Sequence, residues 1–233
     1  MRRQAAMMAI GMVASGSLAA CGSEPAPQPT PTASATASTG AAAVTGPERR
    51  ILTFGDSLFA GYGLGEGESY PARLEAALRA RGINAQITNA SVSGDTTQAG
   101  LQRLAFTLRQ QDDYDLAVVE LGGNDLLRQL PPQQTRDNLD AILRGLQERD
   151  IPVLLMGMRA PPNLGAEYQR SFDAIYPDLA REYDAALVPF FLESVYNRPQ
   201  LIQPDRVHPT AEGIDTMVAA TVDAVAAAVP PTE

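Results

Sequence analysis

The stretch Ile51-Leu52-Thr53-Phe54-Gly55-Asp56-Ser57-Leu58 decides the fold. Four consecutive apolar or β-branched residues closed by a glycine read as a short strand buried on both faces, followed at once by a turn. Outward from it, Ala85 to Thr88, Leu116 to Leu121, Val153 to Met156 and Ala186 to Val188 repeat that pattern. Between them, Pro71 to Arg81, Gln98 to Gln110, Gln133 to Arg149, Tyr168 to Tyr183 and Thr210 to Ala228 carry apolar residues at the three- and four-residue spacing of helices. The alternation predicts an α/β protein, a three-layer α/β/α sandwich around a five-stranded parallel sheet of flavodoxin-like type. Ligands of such sheets bind at the carboxyl ends of the strands, near the point where the strand order reverses. No internal repeat is present.

Composition narrows the chemistry. At 233 residues, 45% hydrophobic and 19% charged, the chain can bury one sizeable core with extensions to spare. The 27 acidic residues against 18 basic ones give a net charge of −9, which argues against nucleic acid as a partner. Every basic residue is arginine, so Schiff-base chemistry on lysine, attachment of pyridoxal phosphate and a Walker-type phosphate loop are excluded. The single cysteine, Cys21, rules out an internal disulfide, and with the single histidine, His208, leaves too few ligands for the usual structural zinc site. No metal and no cofactor is expected.

The N-terminus reads as a targeting segment. Arg2 and Arg3 precede an uncharged run from Ala5 to Ala20 that is too poor in strongly apolar residues to span a bilayer. Its end, Leu18-Ala19-Ala20-Cys21, resembles the lipobox of bacterial lipoproteins. That resemblance implies a signal peptide over residues 1–20, lipid attachment at Cys21 and a protein anchored in the bacterial cell envelope, facing the periplasm. With Gly22 after the cysteine it implies the outer membrane, whereas an ordinary signal would give a soluble periplasmic or secreted protein. From Gly22 to Gly46 the chain is Pro, Ala, Ser and Thr with one charge, Glu24, and reads as a tether. The folded unit is expected from Pro47 to Val229, within a domain of residues 47–233.

Four segments fall at one rim of the expected sheet: Gly55-Asp56-Ser57-Leu58, Asn89-Ala90-Ser91-Val92-Ser93-Gly94-Asp95 and Gly122-Gly123-Asn124-Asp125 after the first three strands, and Asp205-Arg206-Val207-His208-Pro209 before the last helix. Together they can supply a hydroxyl nucleophile, a base, an acid to orient the base and donors for an oxyanion. Each residue also has a plainer reading. Ser57 could cap a helix, Asn124 could serve a turn, Gly94 could meet a backbone need and His208 could be structural. Asp56 and Asp125 rival Asp205 as the acid. The order Ser, Asp, His favours Asp205. With Phe59 where a second glycine would stand, a Gly-x-Ser-x-Gly nucleophile elbow is disfavoured.

From Ile51 to Ile214 these blocks resemble the SGNH or GDSL hydrolase family, closest to a branch of bacterial arylesterases and thioesterase I/protease I/lysophospholipase enzymes. The resemblance implies Ser57 as nucleophile, Asp205 and His208 as its catalytic partners, and the Ser57 amide, Gly94 and Asn124 as the oxyanion hole. It also implies small esters or thioesters as substrates, and makes Arg159 to Gly165 a mobile wall of the acyl cleft. A carbohydrate O-acetylesterase of envelope polymers uses the same blocks, and an envelope lipoprotein could display the fold merely as a binding module.

Overall fold

The computed structural model describes residues 44–111 and 113–231. The signal peptide expected over residues 1–20, the anchor Cys21 and the tether as far as residue 43 lie outside the described residues. In chain order the elements are β1 (Arg49–Gly55), α1 (Ser57–Ala60), α2 (Tyr70–Ala80), β2 (Ala85–Asn89), α3 (Thr97–Gln110), β3 (Leu116–Glu120) and α4 (Gly123–Leu127). They continue with α5 (Pro132–Gln147), β4 (Val153–Met156), α6 (Ala166–Asp173), α7 (Ile175–Glu182), β5 (Ala186–Val188) and α8 (Ala211–Ala228).

The five strands form one parallel sheet in the order β2-β1-β3-β4-β5, as the alternation predicts. The order follows from chain direction. The chain steps one way from β1 to β2, then returns past β1 to place β3 on its other side. Right-handed crossovers then put α3, α5 and α7 on the face opposite α2 and α8. The packing agrees, with α2 against α8, α3 against α5 and α5 against α7. The reversal lies between β1 and β3, whose last paired residues are Gly55 and Glu120. The crevice beyond those two residues is where this architecture binds ligands.

Covered on both faces, the centres of β1 and β3 are largely apolar, and Ile51, Leu52, Phe54 and Leu116 to Val119 are buried. β1 starts two residues before the expected Ile51 because its charges find partners. Arg49 pairs with Asp115 at 3.3 Å, and the Arg50 amide donates to the same carboxylate at 2.7 Å. Beyond the strand, Phe59 stacks on Tyr70 at 5.0 Å and both meet Phe191 edge-on. Tyr70 Oη is tied to Thr221 Oγ1 at 2.7 Å, so the cluster links α1 to α2 and α8. Each such buried ring is worth about 1.5–3 kcal/mol of transfer free energy, which anchors the short helix that begins at Ser57.

One expected helix is divided. Tyr168 to Tyr183 reads as a single periodic run, but the helix breaks at Ala174. Pro177 has no amide hydrogen to donate to Asp173, so it is accommodated in the first turn of a new helix. Separately, the Asp173 side chain accepts from the Ala160 amide at 2.8 Å and pins the loop after β4.

Candidate active site

Ser57 opens α1 directly after β1, and the capping considered for it falls to its neighbour: Asp56 Oδ1 accepts from the Leu58 amide at 3.0 Å. The serine hydroxyl is thereby left for other work. His208 Nε2 lies 2.8 Å from Ser57 Oγ, and His208 Nδ1 lies 2.6 Å from Asp205 Oδ2. Asp205 Oδ1 accepts from the Val207 and His208 amides at 2.9 and 3.0 Å, winding the loop into a tight turn in which Arg206 takes a left-handed φ of 63°. The turn is buttressed by Gln203, whose amide donates to His208 O at 2.7 Å and whose side chain donates to Tyr62 O and Pro209 O. The Tyr62 ring covers the imidazole at 4.4 Å. Partial desolvation of Asp205 is outweighed by hydrogen bonds from the His208 ring and the two amides, together with the histidine's charge. Its carboxyl is therefore lowered to about 2.

The rival acids are committed elsewhere. Asp125 is fully buried, accepts from the Thr97 amide at 2.8 Å and from the Thr97 and Thr135 hydroxyls, and ties α4 to α3 and α5. Asp56 is buried beneath the serine, with Oδ2 accepting from Asn124 Nδ2 at 3.0 Å. Its amide donates to Oε2 of Glu120 at 3.3 Å. Burial pushes both carboxyls up, Glu120 further because it also faces the Asp56 charge, whereas donors from Leu58 and Asn124 counteract the rise at Asp56. The donors at Asp56 favour its charged form, and the stronger rise at Glu120 favours its neutral form. Nothing in the sequence reading singled out Glu120. A lone acid at the end of an apolar strand reads as the first exposed residue, and the only contrary signal is its place two residues before Gly122-Gly123.

Asn124 stands in the short α4, launched by a Gly122 with φ 111°. The Tyr176 hydroxyl occupies the space a Gly122 side chain would take and donates to Leu121 O at 2.8 Å. Gly94, with φ 86°, lies in the loop after β2. Arg103 binds that loop to the end of β1. Its guanidinium lies 4.0 Å over the Phe54 ring and donates to Asp95 at 2.6 Å, to Gly55 O at 3.0 Å and to Ala90 O. Arg128 donates to Gly94 O at 2.9 Å from the other side. Among the described residues the Ser57 and Gly94 amides have no hydrogen-bond acceptor.

Beside Ser57 runs a cleft of about 310 Å³ with Asn124 on one side and Leu126, Met158, Phe190, Val195 and Ile202 among its walls. Arg159, Pro161, Arg206 and Val207 also line it, so the Arg159 to Gly165 segment borders the site; it contains one 3₁₀ turn, Pro162–Leu164. Of the six sequence-selected site residues, Ser57, Asp205 and His208 meet directly, and Asn124 joins them through Asp56 and the shared cleft. Gly94 is held at the next loop and does not line the cleft, and Cys21 lies outside the described residues. Among the described residues no three His, Cys, Asp or Glu side chains cluster closely enough to hold a metal ion.

A hydroxyl, an imidazole and a carboxylate in line at the switch point of a parallel sheet define an α/β/α hydrolase. Residues 53–215 match the GDSL-like Lipase/Acylhydrolase family, and the chain belongs to this GDSL/SGNH family of hydrolases. It is 44% identical over 162 residues to the thioesterase 1/protease 1/lysophospholipase L1 of Escherichia coli strain K12, covering 70% of this chain and 76% of that protein. An arylesterase of Vibrio mimicus is 39% identical over 171 residues, covering 73% of this chain and 85% of the relative. The crystal structure of AlinE4, an SGNH-hydrolase family esterase, superposes with a TM-score of 0.68 at 67% identity, over 80% of this chain and all of that one.

Proposed function

We propose that this protein is a serine hydrolase that cleaves carboxylic esters or thioesters through an acyl-enzyme. The observation that carries the reading is the relay from Ser57 Oγ to His208 Nε2 at 2.8 Å and from His208 Nδ1 to Asp205 at 2.6 Å, opening on an apolar cleft. In the neutral imidazole held by Asp205, Nδ1 carries the proton and Nε2 is free to accept one from Ser57. As Oγ bonds to the substrate carbonyl carbon, the proton passes to Nε2 and Asp205 stabilises the imidazolium. The new oxyanion is met by the Ser57 and Gly94 amides and by the second Nδ2–H of Asn124. Collapse breaks the bond to the alcohol or thiol, which takes its proton from Nε2. A water deprotonated by His208 then attacks the acyl-serine, releasing the carboxylic acid and restoring the hydroxyl.

The walls favour a fatty-acyl or aryl group over a bare acetyl group on a sugar, because Leu126, Met158, Phe190, Val195 and Ile202 gain by being covered. A panel of p-nitrophenyl esters and acyl thioesters of increasing chain length tests this. The expected result is kcat/KM rising from acetyl to medium-chain or aryl substrates, and a maximum at acetyl contradicts it. The mature protein is anchored in the bacterial envelope through Cys21, a reading supported by the only cysteine following Leu18-Ala19-Ala20 after an uncharged run. Cys21→Ala should release the protein from the membrane fraction, and unchanged fractionation with an unlipidated N-terminal mass removes the proposal.

A further inference from the structure

We propose that Glu120 is a positioning residue for the oxyanion site: it fixes the Asp56 backbone, so that Asp56 Oδ2 holds one Nδ2–H of Asn124 and leaves the other aimed at the substrate oxygen. The inference rests on the oxyanion role given to Asn124 above. The amide of an asparagine turns about a terminal torsion with broad, nearly two-fold preferences, so rotamer choice alone does not aim it. A partner must, and Asp56 Oδ2 at 3.0 Å is that partner. As an acceptor it selects Nδ2 rather than Oδ1 and excludes the flipped amide, which would present an oxygen to the oxyanion.

Asp56 in turn needs a fixed frame. Its side chain is held by the Leu58 amide at 3.0 Å and its own amide by Glu120 Oε2 at 3.3 Å. The approach is close enough that a Cβ on Gly55 would lie 2.9 Å from Oε2, so Gly55 is what lets the end of β1 receive the glutamate. Glu120 has no exposed surface and its Oε1 has no hydrogen-bond partner among the described residues. A leucine in this place would orphan the Asp56 amide. Burial and the facing Asp56 carboxylate push the Glu120 carboxyl well up, which disfavours a second negative charge beneath the oxyanion.

The test is a double-mutant cycle read by steady-state kinetics on a p-nitrophenyl ester, with Glu120→Leu, Asn124→Ala and the pair. Glu120→Leu should lower kcat at least about tenfold with little change in KM, and by no more than the about 10²- to 10³-fold expected of Asn124→Ala. In the Asn124→Ala background the same substitution should cost almost nothing, because the group it positions is gone. Glu120→Gln, which keeps an acceptor for the Asp56 amide, should recover most of the lost kcat. An undiminished Glu120→Leu loss in the Asn124→Ala background overturns the inference while leaving the oxyanion role intact. Wild-type kcat in Asn124→Ala overturns both. Should Glu120→Leu fail to fold, Glu120→Met, which also lacks an acceptor for the Asp56 amide, takes its place in the cycle, where the loss must likewise vanish without Asn124 or the inference falls.

Discussion

Gly122→Ala should destabilise the fold and weaken catalysis together, because two separate contacts meet at that backbone position. The residue has φ 111°, a conformation that costs an L-residue about 1–2 kcal/mol. Its new Cβ would also overlap Tyr176 Oη, which is buried and donates to Leu121 O at 2.8 Å. Displacing that hydroxyl orphans a buried carbonyl, adding about 1–3 kcal/mol. The sum is about 2–5 kcal/mol, or roughly 4–20 °C in Tm for a domain of this size. The chain has no tryptophan, so urea and thermal unfolding are best followed by far-ultraviolet circular dichroism. The cycle partner is Tyr176→Phe, which removes the overlapping atom and leaves Cζ at 3.5 Å, an ordinary contact. With the hydroxyl already gone, Gly122→Ala should cost only the conformational part, about 1–2 kcal/mol. A Gly122→Ala cost below about 0.5 kcal/mol, or one unchanged by Tyr176→Phe, refutes this reasoning.

Asp205→Asn should lower kcat by up to about 10⁴-fold with little loss of Tm, since its carboxylate is partly exposed and its work is to orient His208. Asp125→Asn should do the reverse, lowering Tm while the folded enzyme keeps its kcat, and a swap of those two results reverses the assignment of the acid. For Asp205, whose carboxyl is depressed to about 2, the stabilisation is present above the ordinary carboxylate value of about 3.9 and is lost as the pH falls through about 2. Glu120 has the opposite sign: its raised carboxyl stabilises below the ordinary value of about 4.3, and that contribution is lost as the pH rises through its folded value. The Tm of Glu120→Gln should therefore gain on that of the wild type as pH rises from 4 towards 8, and a constant difference across that range contradicts the buried, protonated state.

What could be read in the sequence was what both faces of the sheet impose. Ile51, Leu52, Phe54 and Leu116 to Val119 are apolar because helices cover both faces of the sheet, so the strands and their sequence order were legible. Arg49 and Arg50 hid the start of β1, because charge argues against a strand until Arg49 is seen to pair with Asp115 and Arg50 with Glu48. The helix break at Ala174 was written in Pro177, but a proline in a first turn and one that breaks a helix look alike along the chain. Three of the four site segments were visible as strand ends, and the fourth as the approach to the last helix. The choice among Asp56, Asp125 and Asp205 needed three dimensions, since it depends on which carboxylate meets His208 and which is consumed by Leu58, Asn124, Thr97 and Thr135. Glu120 escaped notice for the same reason: its partner is Asp56, 64 residues away, across the β1–β3 register.

The central claim is that Ser57, activated by His208, is the nucleophile. Incubation of the folded protein with a p-nitrophenyl alkylphosphonate tests it directly, because attack by Ser57 Oγ on phosphorus expels one p-nitrophenolate and leaves a stable phosphonyl-serine. One equivalent of nitrophenolate per chain is expected, with a matching mass increase on the peptide containing Ser57, no such label in Ser57→Ala, and strongly slowed labelling in His208→Ala. A folded protein that releases no nitrophenolate, or that carries the label on any other residue, contradicts it.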